Sequence, residues 1–105
     1  MPIVISPRIR KKLEEKHGVS EDEIRQCFAN VEGEFLRDTR EEHQTDPPSW
    51  WFVANTNRRR KLKVVFLARA VQTPDGKEVT QVEVKTAYEA NADEIEIYDR
   101  LGQSQ

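Results

Sequence analysis

Cysteine is nearly missing from these 105 residues. Cys27 stands alone, so neither an internal disulfide framework nor a cysteine-built zinc site can form, and a reducing compartment fits best. Histidine is scarce as well. His17 and His43 are not at metal-ligand spacing, so no metal centre is expected, and nothing in the pattern calls for a cofactor. No stretch approaches the roughly 20 apolar residues of a spanning helix, and Met1 to Ser6 lacks a basic leader followed by a long apolar run. The expectation is a cytoplasmic chain that does not engage a membrane.

Excess positive charge is absent too. Seventeen Lys and Arg against 19 Asp and Glu leave a net charge of −2, which weighs against strong non-specific nucleic-acid binding. The distribution is uneven, however. From Trp51 to Gln72 every charged side chain is cationic: Arg58, Arg59, Arg60, Lys61, Lys63 and Arg69. Glu21 to Asp46 and Asp93 to Asp99 are predominantly acidic, so one basic face on an acidic body is expected.

The length suits one core, and a single domain over residues 1–102 is expected, with 103–105 a disordered tail. Ile3 to Ile5 reads as a short strand. Ser6 and Pro7 read as an N-cap and first helical residue, Ile9 and Leu13 as an apolar stripe, and Gly18 as the stop of a helix reaching about Lys16. Ser20 and Glu23 have capping-box spacing, and Val19 and Ile24 that of a hydrophobic staple, so a second helix follows with Ile24, Cys27 and Phe28 on one face. After Gly33 the period turns extended. Strands are expected near 34–39, 50–54, 62–71 and 79–88, paired antiparallel because the connections are short. Alternation puts Leu62, Val64, Phe66 and Ala68 opposite Lys63, Val65, Leu67 and Arg69. It groups Val82, Val84, Thr86 and Tyr88 on one face of the last strand, and turns Trp51 away from Trp50 and Phe52. Asn91 caps a closing helix in which Ile97 and Leu101 pack four apart. The fold class is α+β, in the order β-α-α-β-β-β(-β)-α, an antiparallel sheet packed by helices.

That order is also the order of RelE-like toxins, and particular residues narrow the resemblance. Lys16-His17-Gly18-Val19-Ser20, followed by Glu23 and Phe28, resembles the Lys-His-Gly-Val-Ser segment of BrnT-type toxins. Thr86-Ala87, Ala90, Glu94 and Tyr98 resemble that family's Ser-Ala-Arg-Arg-Ala run and following helix. The resemblance implies the toxin of a bacterial type II toxin–antitoxin pair, a metal-independent endoribonuclease bound directly by a cognate antitoxin. The chain departs from the pattern at its opening, Ile3 to Ser6, which lacks the family's aromatic and acidic motif. It departs again at Tyr88-Glu89, where the family has paired arginines and the charge at Glu89 is reversed. ADP-ribosyl hydrolysis of dinitrogen reductase, a label carried by similar small chains, is disfavoured because no aspartate cluster for magnesium is present.

Metal-free RNA cleavage needs a base, cations for the phosphate and an acid for the leaving oxygen. The candidates are Arg69, Lys63, Lys85 and Tyr88 on the last two strands, with His43 as a base beside acidic neighbours. For RNA or partner binding the candidates are Arg58, Arg59, Arg60 and Lys61, at a hairpin tip, and Trp51. The bland readings stand beside these: solvated strand charges, a solubilising tip, a loop histidine and a core tryptophan. The main alternative function is a non-catalytic protein-interaction module of the same fold, and self-association is compatible with either reading.

Overall fold

In the computed structural model, which describes residues 2–39 and 47–102, each helix begins where a side chain can satisfy free backbone N–H groups. Ser6 Oγ accepts from Ile9 N ahead of α1, Pro7–Lys12. Ser20 and Glu23 form the expected capping box of α2, Glu21–Asn30, and Asn91 and Glu94 form another at α3, Ala92–Leu101. The strands are β1, Ile3–Val4, β2, Leu36–Arg37, β3, Ser49–Asn55, β4, Lys61–Gln72, and β5, Glu78–Glu89. No helix among the described residues is long and apolar enough to cross a membrane.

The first helix ends differently from the sequence reading. Beyond Lys12 it widens into a π turn, Leu13–His17, closed by Gly18 in the left-handed region at φ 60°. The wider turn brings Val19 N to Leu13 O and buries both side chains. Val19 also completes the staple with Ile24, which is likewise fully buried.

The sheet has the order β1-β5-β4-β3-β2. β2 to β5 pair antiparallel as expected, but β1 adds to β5 in parallel, with Ile3 opposite Val82. The reason is topological: two helices intervene between β1 and the rest, so β1 reaches the far edge by a crossover. The sheet is therefore mixed, and the described residues form an α+β fold with three helices.

A β-bulge corrects the expected faces of the last strand. Val65 pairs with Thr86 while Phe66 pairs with Val84, leaving Lys85 as the extra residue. Val82 and Val84 consequently share a face with Ala87, not with Thr86 and Tyr88, and all three are buried. On that first face Phe52, Val64 and Phe66 lie under α2, whose Phe28 ring sits 4.8 Å from Phe52 and 5.5 Å from Phe66. Phe35 completes the aromatic cluster, 5.2 Å from Phe52 and 5.1 Å from Phe66.

The second face carries Trp51, Lys63, Val65, Thr86 and Tyr88 by register, and α3 covers part of it. Here a second expectation fails. Ile97 and Leu101 do not pack inward; they are 37% and 59% exposed, and α3 buries Tyr98 instead. Tyr98 wins that place because it can do two things at once. Its ring packs 5.8 Å from Trp51, and its hydroxyl donates to Glu34 O at 2.8 Å. Glu34 N donates to Gly102 O at 2.7 Å, so the end of α3 is tied to the segment before β2.

That tie requires glycine at position 33. A Cβ there would lie 2.5 Å from Gly102 O and 2.7 Å from the Tyr98 hydroxyl. Gly33→Ala should therefore lower stability by about 1–3 kcal/mol, measured as a fall in the urea midpoint at unchanged slope. A midpoint equal to that of the parent would show that the contact between α3 and this segment is loose.

Candidate functional site

β4 and β5 place four of the five catalytic candidates on the second sheet face. Lys63 and Tyr88 are directly paired across the ladder, Arg69 pairs with Gln81 further along, and the bulged Lys85 reaches across to Ser49 Oγ at 3.1 Å. Trp51, opposite Val65, shares the face. They do not converge on one point, however. Lys63 and Arg69 are six residues apart on an extended strand, roughly 20 Å. The fifth candidate, His43, lies outside the described residues.

The face has one organised centre, at Lys63. This lysine is 6% exposed, and its Nζ lies 3.0 Å from Glu94 Oε2, 4.7 Å above the Trp51 ring and 6.0 Å from the Tyr88 ring. Tyr88 donates its hydroxyl to the same carboxylate oxygen at 3.0 Å. Glu94 Oε1 accepts from Asn91 N at 3.0 Å, the capping-box bond that starts α3. One carboxylate thus caps a helix, neutralises a buried cation and orients a phenol. Sequence spacing revealed the first of these roles and not the other two.

The chemistry follows from that crowding. Burial opposes the charge on Glu94, but the Asn91 N–H, the Lys63 ammonium and the Tyr88 hydroxyl outweigh it and hold the carboxyl below its ordinary range. A carboxylate so stabilised is a weak proton acceptor at neutral pH, whereas a general base works best with a pKa near the operating pH. The geometry makes Glu94 a counter-ion.

Beside this centre runs a groove of about 550 Å³ between β2 and α3, lined by Leu36, Arg37, Trp51, Lys63, Ile97 and Leu101, among others. Sequence reasoning missed Arg37, Leu36 and the outward stance of Ile97. Only the contact between β2 and β3, non-local in sequence, brings them together.

The other cations divide into two groups. Arg69 Nε lies 3.1 Å from Glu83 Oε1. Arg60 is fully engaged: it donates to Glu23 and Glu89 and to the backbone carbonyls of His17 and Gly18. It therefore clamps the end of the first helix to the sheet. Arg58, Arg59 and Lys61 are exposed and, among the described residues, have no carboxylate partner. The four cations adjacent in sequence therefore split, one structural and three projecting.

The turn before Lys61 is braced by hydrogen bonds within itself and from α2. Thr56 N donates to Arg60 O, Arg59 N to Thr56 O, and Arg60 N to the Thr56 hydroxyl. Asn30 of α2 donates to Asn55 O and Asn57 Oδ1, and Asn57 N donates to Gln26 Oε1. Arg59 sits in the left-handed region at φ 64°, where it is the single non-glycine among the described residues. Such a conformation is strained for a side chain with a Cβ.

Cys27 has no reactive character. It is fully buried, its Sγ lies 3.6 Å from Ala54 O, and burial, with Glu23 adding to it against Arg60, pushes the thiol up to about 12. Among the described residues no cluster of His, Cys, Asp and Glu is built to hold a metal ion.

No protein-family model matches this chain, and no curated protein matches it.

Glu94→Gln keeps the shape and the cap but strands the Lys63 ammonium in a buried place. It should cost about 3 kcal/mol near neutral pH. Native Glu94 titrates below its ordinary 4.5, so its contribution is complete above that pH and is lost as pH falls through the lower native value. Urea titrations at several pH values should show a constant gap between parent and variant at neutrality that closes in acid. Adding Lys63→Met to Glu94→Gln should recover most of the loss. A single-variant cost under about 0.5 kcal/mol, as for exposed pairs, would rule out the structural role.

Proposed function

We propose that this chain is a protein-interaction module of RelE-like, BrnT-resembling architecture, acting by binding a protein partner and not by cutting RNA. One observation carries the reading. On the sheet face Lys63 and Arg69 are held by Glu94 and Glu83 and Lys85 reaches Ser49 Oγ, while Arg58 and Arg59 on the braced turn, and Lys61 at the start of β4, have no carboxylate partner among the described residues. A phosphate arriving at Lys63 would have to displace a buried, hydrogen-bonded carboxylate. An acidic segment arriving at the turn displaces only water.

The bracing of the turn supports this reading. A backbone already held by hydrogen bonds loses little loop entropy on binding, which favours affinity. The strained backbone at Arg59 is the kind of local cost that persists where a side chain is needed in one particular direction. The resemblance to BrnT-type toxins supplies the kind of partner, a cognate antitoxin encoded beside this chain, here with an acidic contact segment.

A second reading, the metal-independent endoribonuclease toxin, is favoured by a different observation. Lys63, Lys85, Arg69 and Tyr88 share one sheet face with Trp51, beside a groove whose volume suits a nucleotide.

Two measurements separate the readings. The purified chain should leave total RNA intact over hours, and should co-purify with the product of the adjacent reading frame. Arg58→Glu with Arg59→Glu should weaken that complex at least tenfold, about 1.4 kcal/mol, and added salt should weaken the parent complex. RNA cleavage that Arg69→Ala or Lys63→Ala abolishes would overturn the interaction reading in favour of the nuclease.

Arg59→Gly gives an independent check on the strain. It should raise thermal stability, by up to about 1 kcal/mol, while lowering affinity for the partner. A variant no more stable than the parent would remove the argument from backbone strain.

A further inference from the structure

The outward stance of Ile97 and Leu101 leaves apolar side chains on the surface of α3. They are two of the three large hydrophobic side chains that the described surface exposes, Val4 being the third. At 3.6 residues per turn, Asp93, Ile97, Arg100 and Leu101 fall on one stripe of α3, at i, i+4, i+7 and i+8. The stripe runs along the flank of α3 beside Tyr98, which faces the sheet, and Leu101 lies one turn on from that tyrosine. It borders the groove lined by Leu36 and Trp51, which supplies a concavity beside the exposed leucine.

The charges on this stripe are arranged as a pair waiting to be crossed. Asp93, in the first turn, and Arg100, in the last, are both exposed, and neither has an ion-pair partner among the described residues. They lie on either side of Ile97, four residues before it and three after. Two copies of this helix laid antiparallel about Ile97 would bring the aspartate of each against the arginine of the other, twice over. A parallel arrangement would set like charges together. Self-complementarity of this kind is what a two-fold interface requires, since each patch must match itself turned around.

We propose that α3 is a homodimerisation surface, and that its occupant is a second copy of this chain, packed antiparallel along Asp93, Ile97, Arg100 and Leu101. The apolar pair supplies the buried centre, and the crossed aspartate and arginine set the direction. The contact is one short helix deep, so the dimer is of the weak, concentration-dependent kind. This surface lies on a different element from the β3–β4 turn, so the proposal stands independently of the partner-binding reading.

Sedimentation of the full chain over a range of concentrations tests it. The parent should pass from monomer to dimer, and Ile97→Glu or Leu101→Glu should shift that transition at least tenfold upward. Asp93→Arg and Arg100→Asp, each alone, should also be monomeric where the parent is dimeric, because like charges then face each other. Mixing these two variants should restore a dimer, now a heterodimer, since both crossings become attractive. Because all four side chains are exposed, circular dichroism should report unchanged folding for each variant. A parent that stays monomeric at every concentration overturns the proposal. So does a dimer indifferent to the substitutions at Ile97 and Leu101, or a mixture that stays monomeric.

Discussion

Lys63 can lie inside this protein only because Glu94 lies opposite it. A lone ammonium at that depth would cost several kcal/mol or lose its proton, and a lone carboxylate would fare no better. Together, with the Tyr88 hydroxyl and the face of Trp51 beside them, they form a neutral, hydrogen-bonded centre. The position of the closing helix follows from it. Glu94 sits in the first turn of α3, so the ion pair pins that end, and Tyr98, one turn later, pins the middle against Trp51 and Glu34 O. With those two contacts made, the helix has no freedom left to turn Ile97 and Leu101 inward.

The same pairing decides where charge is available to other molecules. The run from Arg58 to Arg69 is uniformly cationic in sequence, yet in space it breaks into cations consumed by the fold and cations presented to solvent. Arg60 clamps the first helix through Glu23, Glu89 and two carbonyls; Lys63 holds α3; Arg69 meets Glu83. Arg58 and Arg59 project from a turn that α2 braces through Asn30 and Gln26, and Lys61 opens the strand that follows. Neighbours in sequence have opposite fates because a turn points successive side chains in different directions.

Much of the local structure was legible beforehand. Capping residues and glycine stops act within a few residues of themselves, so Ser6, Ser20, Asn91 and Gly18 mark element ends that the structure bears out. The misreadings were of another sort. Strict alternation through β5 misplaced Thr86 and Tyr88 because a single bulged residue, Lys85, reverses the parity beyond it. The stripe of α3 was misassigned because helical spacing identifies neighbours on a helix but not which face meets the sheet. Arg37 escaped notice since its place beside the groove depends on β2 reaching β3 across the chain.

What the sequence determined by itself, then, were the elements, their order and the segregation of charge, because these arise from short-range backbone and side-chain preferences. Only the tertiary structure decided which cations are spent on carboxylates, which face of α3 is left outside and where the groove lies. Those outcomes depend on pairings between residues as far apart as Lys63 and Glu94 or Glu34 and Tyr98. A long-range contact forms only when burial, hydrogen bonding and charge are satisfied together, and no local pattern along the chain encodes that joint condition.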